Sequence, residues 1–136
     1  MPFAKPHREF ERLDPNEGWE RAPGYPPGAA VYQRILASDI DDQAGTGSRT
    51  RLLRFAPGAF STQPFMHRHW EEVYLIEGEL IVGNDEHGRG GAVFLAPTYA
   101  CRPPGVWHGP FKSDTGCLLI EFHYYDESHP YSGPTG

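Results

Sequence analysis

The chain has 136 residues, enough for one domain with a sizeable core that needs no disulfide or metal support. Lys and Arg number 12 against 18 Asp and Glu, a net charge of -6, which argues against nucleic acid and anionic membranes as partners because both require a basic face. No apolar run approaches the roughly 18 residues of a membrane-crossing helix. Residues 1–19 are charged and hold no apolar signal region, so a cytoplasmic location is expected.

Gly (16) and Pro (14) are frequent, aromatic residues abound, and long helical periods are missing. That combination predicts an all-β sandwich or barrel. Residues 1–30, with Pro23, Pro26 and Pro27, read as an extended arm that holds a short strand near Phe3 and another near Trp19. Residues 31–38 form the first clear strand. The acidic stretch 39–48 follows as a loop, in which Gly45-Thr46-Gly47 is a turn and too short for a phosphate loop. Residues 49–56 form a strand closed by the Pro57-Gly58 turn. Residues 67–78 read as strand, tight turn, strand, with 79–82 a further strand and 83–88 a hairpin turn. Residues 91–96 form a strand that 97–102 kinks or extends. Pro103-Pro104-Gly105 turns the chain into a short strand at His108. A turn at 114–116 leads to a long last strand over 117–125, rich in β formers. Residues 126–136 are a loosely held tail. The total is eight to ten short strands in a single domain, with 1–30 an arm, 31–125 the barrel and 126–136 the tail.

The chemistry concentrates at His67-Arg68-His69-Trp70-Glu71-Glu72. Strand residues at i and i+2 share a face, so His67 and His69 aim into one space. His108 comes from a distant segment, and a barrel interior permits it to join them. With Glu71 or Glu72 the set becomes three nitrogens and one oxygen, which suits one divalent transition metal such as Fe(II), Zn, Mn or Ni. Parity puts Glu71, Val73 and Leu75 on one face and Glu72, Tyr74 and Ile76 on the other, and both carboxylates stay candidates. Cys101 and Cys117 lack metal-clip spacing and read as free thiols, with Cys101 a buried small hydrophobe. His123 on the last strand is a candidate proton carrier. Phe65, Trp70, Tyr99 and Trp107 are candidate walls of an apolar pocket, and Arg54 and Arg102 candidate partners of a substrate carboxylate. His7, His87 and His129 read as solvated.

Gly58, His67-x-His69, Glu71 six residues before Gly78, Gly91, and Pro103-x-Gly105-x-x-His108 together resemble the two motifs of the cupin superfamily. Eight residues separate Gly58 from His67 and eleven separate Gly91 from Pro103, both more than the usual spacing. Phe111 or Lys112 stands where the family usually has asparagine. The stretch from His69 to the glutamate is shorter than usual; counting back from Gly78 selects Glu71. Residues 51–58, 72–80, 103–108 and 116–119 are similar to one branch, which holds the cupin domains of zinc-dependent anti-sigma factors and the acetylacetone-cleaving dioxygenases.

The resemblance implies a double-stranded β-helix, the jelly-roll barrel, with the metal inside. It implies His67, His69, His108 and Glu71 as metal ligands, with Glu72 the alternative to Glu71; Glu71, as fourth ligand or nearby base, and His123, as the proton carrier on the last strand, are the candidate catalytic residues. It implies a small-molecule substrate, a homodimer formed through edge strands, and either a non-haem dioxygenase of the diketone-cleaving type or a metal-binding sensor without catalysis. Residues 1–30 show no helical partner-binding segment of the kind that precedes the anti-sigma cupin domains, which weighs toward the enzyme.

Overall fold

Alternation of β-branched and aromatic residues with polar ones favours pleated, half-buried strands over helix. In the computed structural model, which describes residues 4–134, every regular element is a strand. The strands are β1 (Glu20–Arg21), β2 (Val31–Ser38), β3 (Ser48–Phe55), β4 (Trp70–Val82), β5 (Ala92–Leu95), β6 (Thr98–Arg102), β7 (Phe111–Lys112) and β8 (Cys117–Tyr124). All pairings are antiparallel, in the order β1-β2-β3-β8-β4-β5, with β6 and β7 also on β4. Among the described residues no helix is long and apolar enough to cross a membrane. The chain folds as an all-β jelly roll.

β4 organises the barrel. Its first half pairs with β6 and β8, and its second half with β5 and β7. The change of partners comes at a register shift between Leu75 and Glu77, followed by Gly78 at φ +87°. A Cβ on Gly78 would lie 2.2 Å from the Gly116 carbonyl oxygen, so only glycine lets the two backbones approach this closely.

The inward side chains form layers. Phe55 lies opposite Cys117, and Leu53, Leu119 and Leu75 share the next layer. All are buried and make the apolar half of the interior. One layer on, the interior turns polar with Arg51 and Glu121, and the last layer holds Arg49, His123, Glu71 and Arg102. The apolar layers hold the barrel closed, and the polar layers lie together at one end.

Several expectations change. Residues 67–78 do not form a hairpin: Trp70–Val82 is one strand of 13 residues, and His67 and His69 lie in the loop before it. Nothing in Trp70-Glu71-Glu72 is a turn former, so the strand runs through. Residues 98–102 form a strand of their own, and His108 makes only an isolated bridge with Phe65. The strand expected near Trp19 is the short β1; the one near Phe3 lies outside the described residues. Both cysteines are free thiols, but Cys101 is exposed because β6 turns it away from the barrel.

Candidate metal centre

β4 carries Glu71 inward and Glu72 outward. The Glu71 carboxylate is 3% exposed. One of its oxygens lies 2.9 Å from Arg102 Nη1 and 3.4 Å from His108 Nε2. The other lies 3.8 Å from His67 Nε2 and 3.0 Å from His123 Nε2. Glu72, the alternative acid, accepts hydrogen bonds from the hydroxyls of Tyr99 and Tyr124 on the outer face, away from the histidines. These two bonds lower its pKa.

His67, Glu71 and His108 offer ligand atoms that all lie within 4.8 Å of one another. Ligands about 2.1 Å from a metal stand roughly 3.0 to 3.4 Å apart, so this set needs only small movements to close on an ion. His69 does not join that group. Its ring stacks on those of His67 and His123, each at 4.6 Å. The loop gives His69 and His108 a defined tautomer. His69 Nδ1 lies 2.9 Å from the Trp70 carbonyl oxygen and His108 Nδ1 lies 3.1 Å from that of Val106. A ring that donates Nδ1–H to a carbonyl presents a bare Nε2, the state of a metal-binding histidine. Burial lowers the pKa of His67 and of His69 to about 4 and lowers that of His108 as well, so these rings are neutral near pH 7. The donor set fits a divalent first-row metal.

Behind the triad lies a buried charge network. Arg51 Nε and Nη2 bind one Glu121 oxygen at 2.9 and 2.7 Å, and Arg51 Nη1 donates to Gln33 Oε1 at 2.7 Å. His123 Nε2 lies 3.0 Å from that same Glu121 oxygen and 3.0 Å from Glu71. Arg49 Nε and Nη2 reach His123 Nδ1 at 3.1 and 2.7 Å. Burial lowers the His123 pKa, but bonds and charges from Glu121 and Glu71 outweigh it and raise it. Arg49 can only donate, however, so Nδ1 must be the acceptor and the ring proton sits on Nε2, shared between two carboxylates. Burial raises the Glu121 pKa, yet the charge of Arg51 and the hydrogen bond from His123 together hold it well below the ordinary carboxylate range. For Glu71, burial and Glu121 push upward, and bonds and charges from His123 and His108 bring it down, so it stays ionised.

A cavity of about 390 Å³ opens over this centre, and Tyr25, Phe65 and Phe111 form its apolar wall. Of the four aromatic residues expected to wall the pocket, Phe65 alone lines this cavity. Trp70 stacks on Tyr124 outside the barrel, and Tyr99 and Trp107 are more than half exposed. Neither arginine expected to bind a substrate is free to do so: Arg54 lies over the Trp19 ring at 4.2 Å, and Arg102 is bound to Glu71.

The family model of the ChrR cupin-like domain matches residues 31–125. The chain is a cupin of the ChrR-like family. Among solved structures it is similar to an acetylacetone dioxygenase from Acinetobacter johnsonii, at 16% identity over 97% of this chain and 88% of the other, with a TM-score of 0.60. An RmlC-like cupin from Shewanella frigidimarina matches at 23% identity over 82% and 96%, TM-score 0.55. The polyketide cyclase RemF from Streptomyces resistomycificus matches at 20% over 87% and 81%, TM-score 0.60. At these identities the likeness is one of fold. No curated protein matches the chain.

Sequence reasoning missed Arg49, Arg51, Glu121 and Tyr25 in this cupin. A signal for three of them was present: the inward positions of β3 and β8 change from apolar to charged toward one end, and antiparallel pairing brings those ends together. Tyr25 comes from the arm, where no periodicity marks it.

Proposed function

We propose that this cupin binds one divalent first-row metal through His67, His69, His108 and Glu71, and that it is a non-haem dioxygenase acting on a small diketone-like molecule. The observation that carries the reading is the convergence of His67, His108 and an ionised, buried Glu71 at the floor of a cavity with an aromatic wall. His69 stands beside them with its Nδ1 already committed to a carbonyl. The whole-length likeness to an acetylacetone dioxygenase supports the choice of chemistry.

A bound Fe(II) would supply a Lewis acid with open positions for the substrate oxygens and for O2. The chain supplies the rest. Glu71, held by Arg102 and His123, keeps its charge and its direction. Its two donors make it a better ligand than base. His123 holds a proton on Nε2 between Glu71 and Glu121. Tyr25, Phe65 and Phe111 exclude water from an apolar substrate face. The test is anaerobic reconstitution with Fe(II), followed by oxygen uptake against a panel of diketones and phenolic ketones. Uptake with one of them is expected; silence across the panel, with metal bound, overturns the enzyme reading.

The match to the ChrR cupin-like domain favours a second reading, a metal-binding sensor or ligand-binding module without catalysis. Recovery of a stoichiometric protein partner whose binding depends on the metal would select it.

A further inference from the structure

β5 and β6 both pair with β4 but, among the described strands, not with each other. They meet β4 on either side of its register shift, β6 along residues 71–75 and β5 along residues 79–82, so the barrel wall parts between them. A second cavity, of about 170 Å³, enters the barrel at this parting. Val73, Leu75, Leu80 and Leu119, all buried, line its floor, and Phe94 and Tyr99, both exposed, stand at its mouth. It shares no lining residue with the cavity over the metal centre. The space exists because the inward row of β6 runs Thr98, Ala100, Arg102, with the smallest side chain in the middle.

The polar groups of this lining are few. The Thr98 hydroxyl donates to the Leu95 carbonyl, and that of Tyr99 to Glu72. Arg102 is the one charged group. Glu71 takes its Nη1 at 2.9 Å, and among the described residues Nε and Nη2 have no hydrogen-bond partner. A guanidinium offers five N–H groups in a planar fork, so donors remain for a second acid. Inside the barrel, Arg49, Arg51 and Arg102 stand against Glu71 and Glu121. One positive charge is left in excess, which an anion would balance.

We propose that this second cavity binds a short-chain monocarboxylic acid, with its alkyl chain on Leu75 and Leu80 and its carboxylate on Arg102. An apolar cavity of about 150 Å³ holds one benzene ring, so this one takes a chain of about six carbon atoms. The chain covers apolar walls and leaves no polar group unpaired. The carboxylate meets a donor fork of matching shape. The site is separate from the metal centre and uses none of its histidines.

Isothermal titration of the purified chain with hexanoate, 1-hexanol and acetate, combined with methyl NMR spectra, tests this. Hexanoate is expected to bind at least about tenfold more tightly than 1-hexanol, which lacks the charge, and than acetate, which lacks the chain. The methyl signals of Leu75 and Leu80 are expected to shift, while that of Met66, in the metal cavity, stays in place. Ala100→Leu fills the space and is expected to lower hexanoate affinity at least about tenfold while keeping or raising Tm. The comparison of the three ligands needs no variant to fold. Equal affinity for hexanoate and 1-hexanol, shifts centred on Met66, binding that Ala100→Leu leaves intact, or no binding at millimolar hexanoate would each overturn the proposal.

Discussion

Glu71 and His123 stand opposite each other in the β4–β8 register, with His123 Nε2 3.0 Å from the Glu71 carboxylate. The pairing joins the two halves of the polar interior: the histidines around Glu71 on one side, and the Arg51–Glu121 pair on the other. Glu71 is thereby a fixed anion pointing at His67 and His108, and Glu72, next in sequence, belongs to a different environment altogether.

The two glutamates should separate cleanly by mutation. Glu71→Gln is expected to weaken metal binding about tenfold or more, whereas Glu72→Gln leaves it within about twofold. Metal content after purification and competition with a chromophoric chelator give the comparison. Equal losses would remove Glu71 from the ligand set.

Arg49 acts through His123. Two of its N–H groups hold His123 Nδ1 as an acceptor and keep the ring proton on Nε2, aimed at Glu71. Arg49→Gln is expected to lower metal affinity by about 10- to 100-fold and to change the His123 tautomer, read by nitrogen NMR of the imidazole. A purely structural role for Arg49 would lower thermal stability and leave the tautomer signature as it was.

The barrel was legible in the sequence because its evidence is local. Strands β2, β3 and β8 announce themselves by β formers between Gly and Pro punctuation, and their predicted bounds differ from those observed by one residue at most. The histidines were legible for the same reason, through spacing. The expected tight turn at Trp70, read from the histidines and glutamates as two strands of a hairpin, failed because Trp70-Glu71-Glu72 holds no turn former and continues into one strand. Glu121 and Arg51 were invisible as a pair, since their link is 70 residues long and arises only from the β3–β8 register.

That pair makes stability depend on acid. Glu121 has a depressed pKa in the folded chain, so its contribution is fully present above the unfolded value of about 4.3 and is lost as pH falls toward the lower folded value. Urea unfolding midpoints should therefore drop between roughly pH 5 and pH 2. Glu121→Gln should flatten that dependence and cost about 3 to 5 kcal/mol at pH 7, because Arg51 is left buried without its counter-ion. An unchanged pH profile in the variant would count against the pair as the source.

Gly78→Ala should destabilise by about 2 kcal/mol or more. The positive φ and the 2.2 Å approach to the Gly116 carbonyl both oppose a Cβ. Denaturant titration of the metal-free protein measures it, with Gly58→Ala as a reference: that site has a positive φ too, but no atom within 4 Å of the added Cβ.

A ligand that binds only the folded chain raises its stability by mass action. At a free metal concentration about a thousand times Kd, the gain is about 4 kcal/mol. Differential scanning calorimetry should show Tm rising with Fe(II) or Zn(II) and returning on chelation. The increase should be much smaller in His67→Ala and His108→Ala than in a solvated control such as His87→Ala.

β4 has bearing on when the centre can come into being. The loop that ends at His69 emerges during synthesis well before the strands that hold Glu71 in place, since β6 and β8 run to residues 102 and 124. A nascent chain that has reached only the middle of the barrel owns two neighbouring histidines and no defined third donor. On the proposed reading of these residues as metal ligands, capture is a late event, completed when the last strand closes against both β3 and β4.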